Sequence, residues 1–237
     1  MKKGMSNVVA TILVVLGIVA VVGGMIWIAV VKNASKVDYS NYDVNTVIAA
    51  NDDNGNIGDH VKGNPDAPVK IFEYADYQCS ACATVNPRVN KILEEYGDKL
   101  AIVYRNFLLS YHQNGTAAAS AAEAAGLQGY WKEYADKLFT NQSVWANASG
   151  DSRTDIFLDL FRSVTNGAGD EAKFVADMKS ENVKKKLNFD SGISEKIDIP
   201  GTPAFFLDGE RIDFSGAKNA EDYYKIFREK IDAKLNK

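Results

Sequence analysis

The sequence predicts an α/β chain of order βαβ, helical insertion, ββα, set behind a single transmembrane helix. Three observations carry this reading. Val8 to Val31 runs 24 residues without a charge. Two strand-like runs, Ala67–Ala75 and Leu100–Phe107, flank a segment whose apolar residues recur at helical spacing. A long helix-forming stretch, about 112–196, then separates them from a second strand pair and a last helix.

Residues 1–7 form a short basic start carrying Lys2 and Lys3. About 20 apolar residues cross the hydrocarbon core as a helix, whereas a cleaved signal peptide has an apolar region of about 7–15 residues ending in small side chains. Residues 8–31 therefore read as a signal anchor. Lys2, Lys3 and the amino terminus precede the span, and Lys32 and Lys36 follow it. This bias orients the N-terminus to the cytoplasm and the rest of the chain outside, where disulfides persist. Residues 32–63 are rich in Asn, Asp, Gly and Ser. A run such as "NDDNGNIGD" holds too little apolar surface to fold alone, so the segment is expected to be a polar tether, with room for one short ordered piece near "VNTVIAA". The folded domain is expected over 64–237. The hydrophobic content of 46% is enough for a core without disulfide staples. A net charge of −4 with no basic stripe excludes nucleic acid as a partner.

Within the domain, "APVKIFEYA" is apolar enough for a buried strand. Ser80 to Tyr96 places Val85, Val89, Ile92, Leu93 and Tyr96 on one helical face, and Gly97 stops the helix. Pro87 removes the bond to the Ala83 carbonyl and is expected to kink the axis. "LAIVYRNF" is the second strand, completing a βαβ unit with a right-handed crossover. The insertion follows. "GTAAASAAEAAGLQG" has high helix propensity, and "YWKEYADKLF", "RTDIFLDLF" and "DEAKFVADM" each repeat apolar residues at helical spacing. "TPAFFLDGERI" returns to strands around an Asp208-Gly209 hairpin turn. Asn219 with Asp222 resembles a capping box. It starts a final helix with Tyr223, Ile226, Phe227, Ile231 and Leu235 on its apolar face.

Cys79 and Cys82 are the only cysteines, and they stand at the start of the first helix. The unpaired N–H groups and the dipole of a helix start favour negative charge, so a Cys79 thiolate gains most and its pKa should fall. Cys82, one turn in, is shielded yet within reach to close a disulfide. The spacing thus separates an exposed attacker from a buried resolver. Two other uses are weaker. Zinc needs four ligands, and beyond the cysteines the chain offers only His60 and His112, without ligand-pair spacing. A structural disulfide here would close a very short loop, which restricts the unfolded chain least.

"GNPDAPVKIFEYADYQCSAC", the element order and "GTPAFF" together resemble the membrane-tethered or exported DsbA-like thiol-disulfide oxidoreductases of the thioredoxin superfamily, over about Asp59 to the C-terminus. The resemblance implies a thioredoxin-like fold, with Cys79 as nucleophile and Cys82 as resolving thiol. Pro203 matches the family's cis-proline and Thr202 precedes it, its backbone being expected to pair with a substrate strand; a trans proline at the strand start is the other reading. Glu73 matches a buried acid beneath the disulfide that relays the Cys82 proton. It reads equally well as a carboxylate facing water near a strand end, and Arg105 is a candidate to offset its charge. The central dipeptide is Ser80-Ala81, without the histidine or proline of well-known members, so a less extreme oxidant is expected. The implied activity is disulfide formation on exported cysteine-containing proteins. No cofactor beyond the redox-active Cys79–Cys82 disulfide is implied, and the expected partner is a quinone-linked membrane reoxidase. Two alternatives stay open: a membrane-anchored reductase or isomerase fed by an electron donor, and a non-catalytic chaperone module that holds clients on the insertion.

Overall fold

In a computed structural model, which describes residues 37–236 together with Ile12, Val21 and Val22, the run Val69–Ala75 buries every residue but Lys70. Burial on both faces is the mark of a central strand. This strand, β2, lies in a five-stranded sheet with β1 (His60–Gly63), β3 (Leu100–Asn106), β4 (Ala204–Leu207) and β5 (Glu210–Arg211), in the order β1-β3-β2-β4-β5. β2 and β3 are parallel, joined through helix α1 (Ser80–Tyr96); the other neighbours are antiparallel. Helices α2 (Gly115–Gly126), α3 (Trp131–Thr140), α4 (Gln142–Trp145), α5 (Gly150–Thr165), α6 (Glu171–Asp177) and α7 (Glu181–Lys196) form the insertion, and α8 (Ala220–Leu235) ends the domain. The fold is mixed α/β and thioredoxin-like, with a helical insertion.

The chain divides into two units, Met1–Asp38 and Tyr39–Lys237. In the first, Ile12, Val21 and Val22 are helical and exposed; the rest of the expected 8–31 anchor and the basic start lie outside the described residues. Among the described residues, no helix is long and apolar enough to cross a membrane.

In the second unit, side chains one position apart on a strand point to opposite faces. One sheet face carries Ile71, Ile102 and Phe205 against Val85, Val89 and Ile92 of α1 and Phe227 and Ile231 of α8. A second cluster joins Tyr77, Cys79, Cys82 and Tyr104 to the insertion through Ala118, Ala122, Trp131, Tyr134 and Trp145. The run of alanines in α2 is almost wholly buried, because small side chains let the surrounding helices approach closely. The helix over 80–96 is continuous across Pro87. Asp208 and Gly209 both have positive φ, 53° and 81°, the backbone of a type I′ hairpin. Asn219 Oδ1 accepts from the N–H groups of Glu221 and Asp222, capping α8; Asp222 accepts from Lys218 rather than from the cap's own N–H.

The tether expected over 32–63 differs. From Tyr39 onward the segment belongs to the domain, which therefore begins 25 residues before the expected 64. His60–Gly63 pairs with β3 as an edge strand. Tyr39 and Tyr42 pack on Phe189 of α7 at 5.7 and 4.8 Å between ring centroids, and Ile48, Asn54 and Ile57 are buried. At Gly55, with φ +66°, a Cβ would lie 2.1 Å from the Asn182 carbonyl oxygen, so only glycine allows this approach. Low apolar content does not capture this segment because polar groups hold it: Arg105 donates to the carbonyls of Val44 and Thr46 at 2.7 and 2.8 Å.

Candidate active site

Cys79 is the N-cap residue of α1, extended at φ −70° and ψ 119°, so its side chain sits beside the first-turn N–H groups that lack helical partners. Both thiols are free; Cys79 is 8% exposed and Cys82 1%. The hydrogen bond from Cys82 is the largest influence lowering the Cys79 pKa, to about 5. Burial opposes it, and Thr202 with the N–H groups of Cys82 and Ala81 adds to the lowering. Cys82 is pushed well up, by burial first and then by donating its proton to Cys79. The pair is thus one thiolate and one thiol sharing a proton. Ser80 and Ala81 are exposed between them.

Thr202–Pro203 is a cis peptide bond. The Thr202 carbonyl lies 3.5 Å from Cys79 Sγ, so residues far apart in sequence meet at the sulfur. Pro203 also lines a cavity of about 500 Å³ with Arg211, Ile212, Phe214 and Tyr223.

Glu73 is 3% exposed. Its register partners are Tyr104 on β3 and Phe205 on β4, which place it on the α1 side of the sheet. Burial raises its pKa to about 7; Lys62 lowers it and Asp136 raises it further. The reading of Glu73 as a water-facing carboxylate is therefore corrected: both sheet faces are covered at this position. The Arg105 suggestion is corrected too. Arg105 is one position beyond Tyr104 and so faces the opposite side, where it pairs with Asp59 at 2.7 Å. The cation acting on Glu73 is Lys62 of β1.

This has a consequence for stability. A carboxyl whose folded pKa is raised favours folding below its unfolded value, near 4.5, and loses that contribution as pH rises through about 7. Glu73→Gln is expected to stabilise the reduced domain by up to about 3 kcal/mol at pH 8 and by little at pH 4. Urea unfolding at the two pH values measures the difference; equal effects at both would exclude a buried ionised Glu73.

Residues 55–229 match the family model described as Thioredoxin. The chain belongs to the thioredoxin family. A free cysteine pair stands at the head of its first long helix, α1. Solved thioredoxin-like structures share the fold. Oxidised BdbD from Bacillus subtilis superposes with a TM-score of 0.62 at 22% identity, covering 82% of this chain and 100% of that one. A thioredoxin-like oxidoreductase from Silicibacter pomeroyi DSS-3 gives 0.57 at 22%, covering 73% and 92%. The catalytic domain of Proteus mirabilis ScsC gives 0.57 at 19%, covering 73% and 89%. By sequence, the chain is 32% identical over 158 residues to the Na(+)/H(+) antiporter NhaA 1 of Mycolicibacterium gilvum (strain PYR-GCK), covering 65% of this chain and 24% of that protein. The chain thus spans about a quarter of the length of the curated relatives it matches.

Other residues complete this thioredoxin-family centre. Asp76 is buried; its Oδ1 accepts from the Gln78 N–H at 2.8 Å and its Oδ2 from the Leu109 N–H at 3.0 Å, with His112 Nδ1 at 2.9 Å. Its carbonyl accepts from the Cys79 N–H at 3.0 Å. An Asp two residues before a turn amide is a recognisable Asx signal, so "ADYQC" held a cue to this role. Gln142 of the insertion donates to the carbonyls of Tyr77 and Cys79 at 2.7 and 3.1 Å. No local pattern marks that contact, because it exists only once the insertion is docked. The two histidines each meet a carboxylate, His60 at Glu123 and His112 at Asp76.

Proposed function

We propose that the chain is an oxidase that introduces disulfides into cysteine-containing proteins outside the cytoplasm. The geometry supporting this direction is Cys79 at the N-cap of α1 beside Thr202, where the Cys82 hydrogen bond, then Thr202 and the first-turn N–H groups, lower its pKa to about 5. A stabilised thiolate favours the dithiol over the disulfide, which makes the disulfide form a stronger oxidant, and it makes Cys79 a better leaving group.

In the oxidising direction a client thiolate attacks Cys79 Sγ. The Cys79–Cys82 bond breaks, and Cys82 leaves with the electron pair and takes a proton from Glu73. A second client thiolate then attacks the client sulfur of the mixed disulfide, displacing Cys79 as thiolate. The client departs oxidised and the enzyme keeps two electrons, which a quinone-linked membrane partner removes. Thr202 and Pro203 carry the client strand beside the sulfur. The apolar run 8–31 anchors the domain in the membrane. Membrane residence is supported by the curated relatives, whose matching segment lies within proteins named as Na(+)/H(+) antiporters.

Equilibration of the domain with glutathione buffers measures the potential. A value more positive than about −200 mV is expected; one near the −270 mV or so of thioredoxin would assign the chain to reduction instead.

A further inference from the structure

Lys62 is a buried lysine, 2% exposed, on edge strand β1. Its Nζ donates to Asp136 Oδ1 of α3 at 2.6 Å and to the side-chain oxygens of Asn86 and Asn90 on α1 at 3.3 and 3.2 Å. Asn86 Nδ2 donates to the same Asp136 oxygen at 3.1 Å. The ammonium is therefore held by three acceptors at one end of its reach, while Glu73 lies within its field on the same sheet face. Asp136 is 30% exposed and borders a cavity of about 660 Å³, together with Asn90 and Leu93 in the C-terminal half of α1 and Gly97 just beyond it. Asn90 is about 16 Å along the helix axis from Cys79. Solvent thus reaches the pair from the end of α1 remote from the sulfurs.

We propose that Asp136 is a positioning residue of the dithiol centre: by holding the Lys62 ammonium it keeps that charge from neutralising Glu73, so that Glu73 can carry the Cys82 proton. This rests on the proton-carrying role of Glu73 proposed above. It gives the insertion a chemical part in the reaction, because α3 belongs to the insertion whereas Lys62, Glu73 and the cysteines belong to the thioredoxin core. The titratable groups gathered around Glu73 are Lys62 from β1, Tyr104 from β3, Tyr77 from the turn before α1 and Asp136 from α3, and Tyr104 in turn lies within the field of Cys82 from α1. His60 and Glu123 pair with one another at 2.7 Å beyond Tyr77 and Trp131. Among these, Lys62 and Asp136 are the charges that act on Glu73, with opposite signs.

The signs make the test specific. In Asp136→Asn, the Lys62 charge acts on Glu73 unopposed, the carboxylate gains, and the Glu73 midpoint falls below about 7. In Lys62→Met the lowering influence is gone and the midpoint rises. The neutral pair Lys62→Met/Asp136→Asn leaves no charge unpaired, so it folds even where a single variant does not; its midpoint should lie above wild type, because Lys62 acts more strongly than Asp136. Asp136→Glu should restore the wild-type value. The Glu73 midpoint is read from its side-chain carbon-13 shift in the reduced full chain, with Glu73→Gln identifying the signal. A merely structural pair would lower thermal stability in both single variants without moving the midpoint in opposite directions. An unchanged or raised midpoint in Asp136→Asn, or an unchanged one in the neutral pair, overturns the proposal. The midpoint is measured without any exchange reaction, so this failure is separate from that of the Glu73 role, which is lost if Glu73→Gln leaves the pH profile of the Cys82 step unaltered.

Discussion

Iodoacetamide is expected to modify one thiol of the reduced protein at pH 6 and to leave the other untouched, the modified residue being Cys79. With a pKa of about 5, Cys79 is about 90% thiolate at that pH, whereas an ordinary cysteine near 8.5 is about 0.3% ionised, a ratio of about 300. Part of that advantage is offset, since intrinsic nucleophilicity falls with basicity, with a Brønsted slope of about 0.4–0.5. The remaining gain at pH 6 is about tenfold. The clearer signature is the shape of the profile. The rate should reach half its plateau near pH 5 and stay flat from about pH 7 to 9, where a free cysteine is still climbing. Cys82, pushed well above the ordinary range by burial, should react only after unfolding. Peptide mapping of the alkylated product assigns the site. A half-plateau above pH 8 would remove the thiolate on which the oxidase reading stands.

Much of that chemistry was legible because it is local. The N-cap position of Cys79 and the one-turn offset of Cys82 follow from a helix start between two strands. The side of the sheet that Glu73 faces was not legible, because a one-residue change of register reverses it. That parity separates Glu73 from Arg105 and leaves them in different clusters. Lys62 and Asp136 were missed for another reason. Their partners lie 24 to 74 positions away, and the strand "HVKG" is too short to show alternation. The ordered stretch after Tyr39 was misread because a compositional rule weighs apolar content and is blind to a buried guanidinium that gathers carbonyls.

Arg105→Met is expected to cost about 3–5 kcal/mol of folding stability, the range for stripping one partner from a buried ion pair. The Arg105 side chain is wholly buried and donates five hydrogen bonds: two to Asp59 Oδ2, two to the carbonyls of Val44 and Thr46, and one to the Tyr74 hydroxyl. Asp59 is equally buried, with Lys186 Nζ 3.5 Å from its other oxygen. Burial alone would raise the Asp59 pKa, but Lys186 and then Arg105 hold it below the usual carboxylate range. A depressed carboxylate contributes stability above its unfolded value and loses it as pH falls through the folded one. Without Arg105 that loss should begin at higher pH, so the acid transition moves upward. Arg105→Lys should recover part of the charge term but not the fork that reaches both carbonyls. Urea unfolding at pH 7 gives the magnitude. Amide hydrogen exchange gives the location, because the segment from Val44 to Asp59 should lose protection in both variants while β2 loses it only in Arg105→Met. A cost under about 1 kcal/mol, with protection at 44–59 unchanged, would show that this segment is held by its own turn contacts and Phe189 packing. The domain would then have a boundary nearer the one its composition suggests.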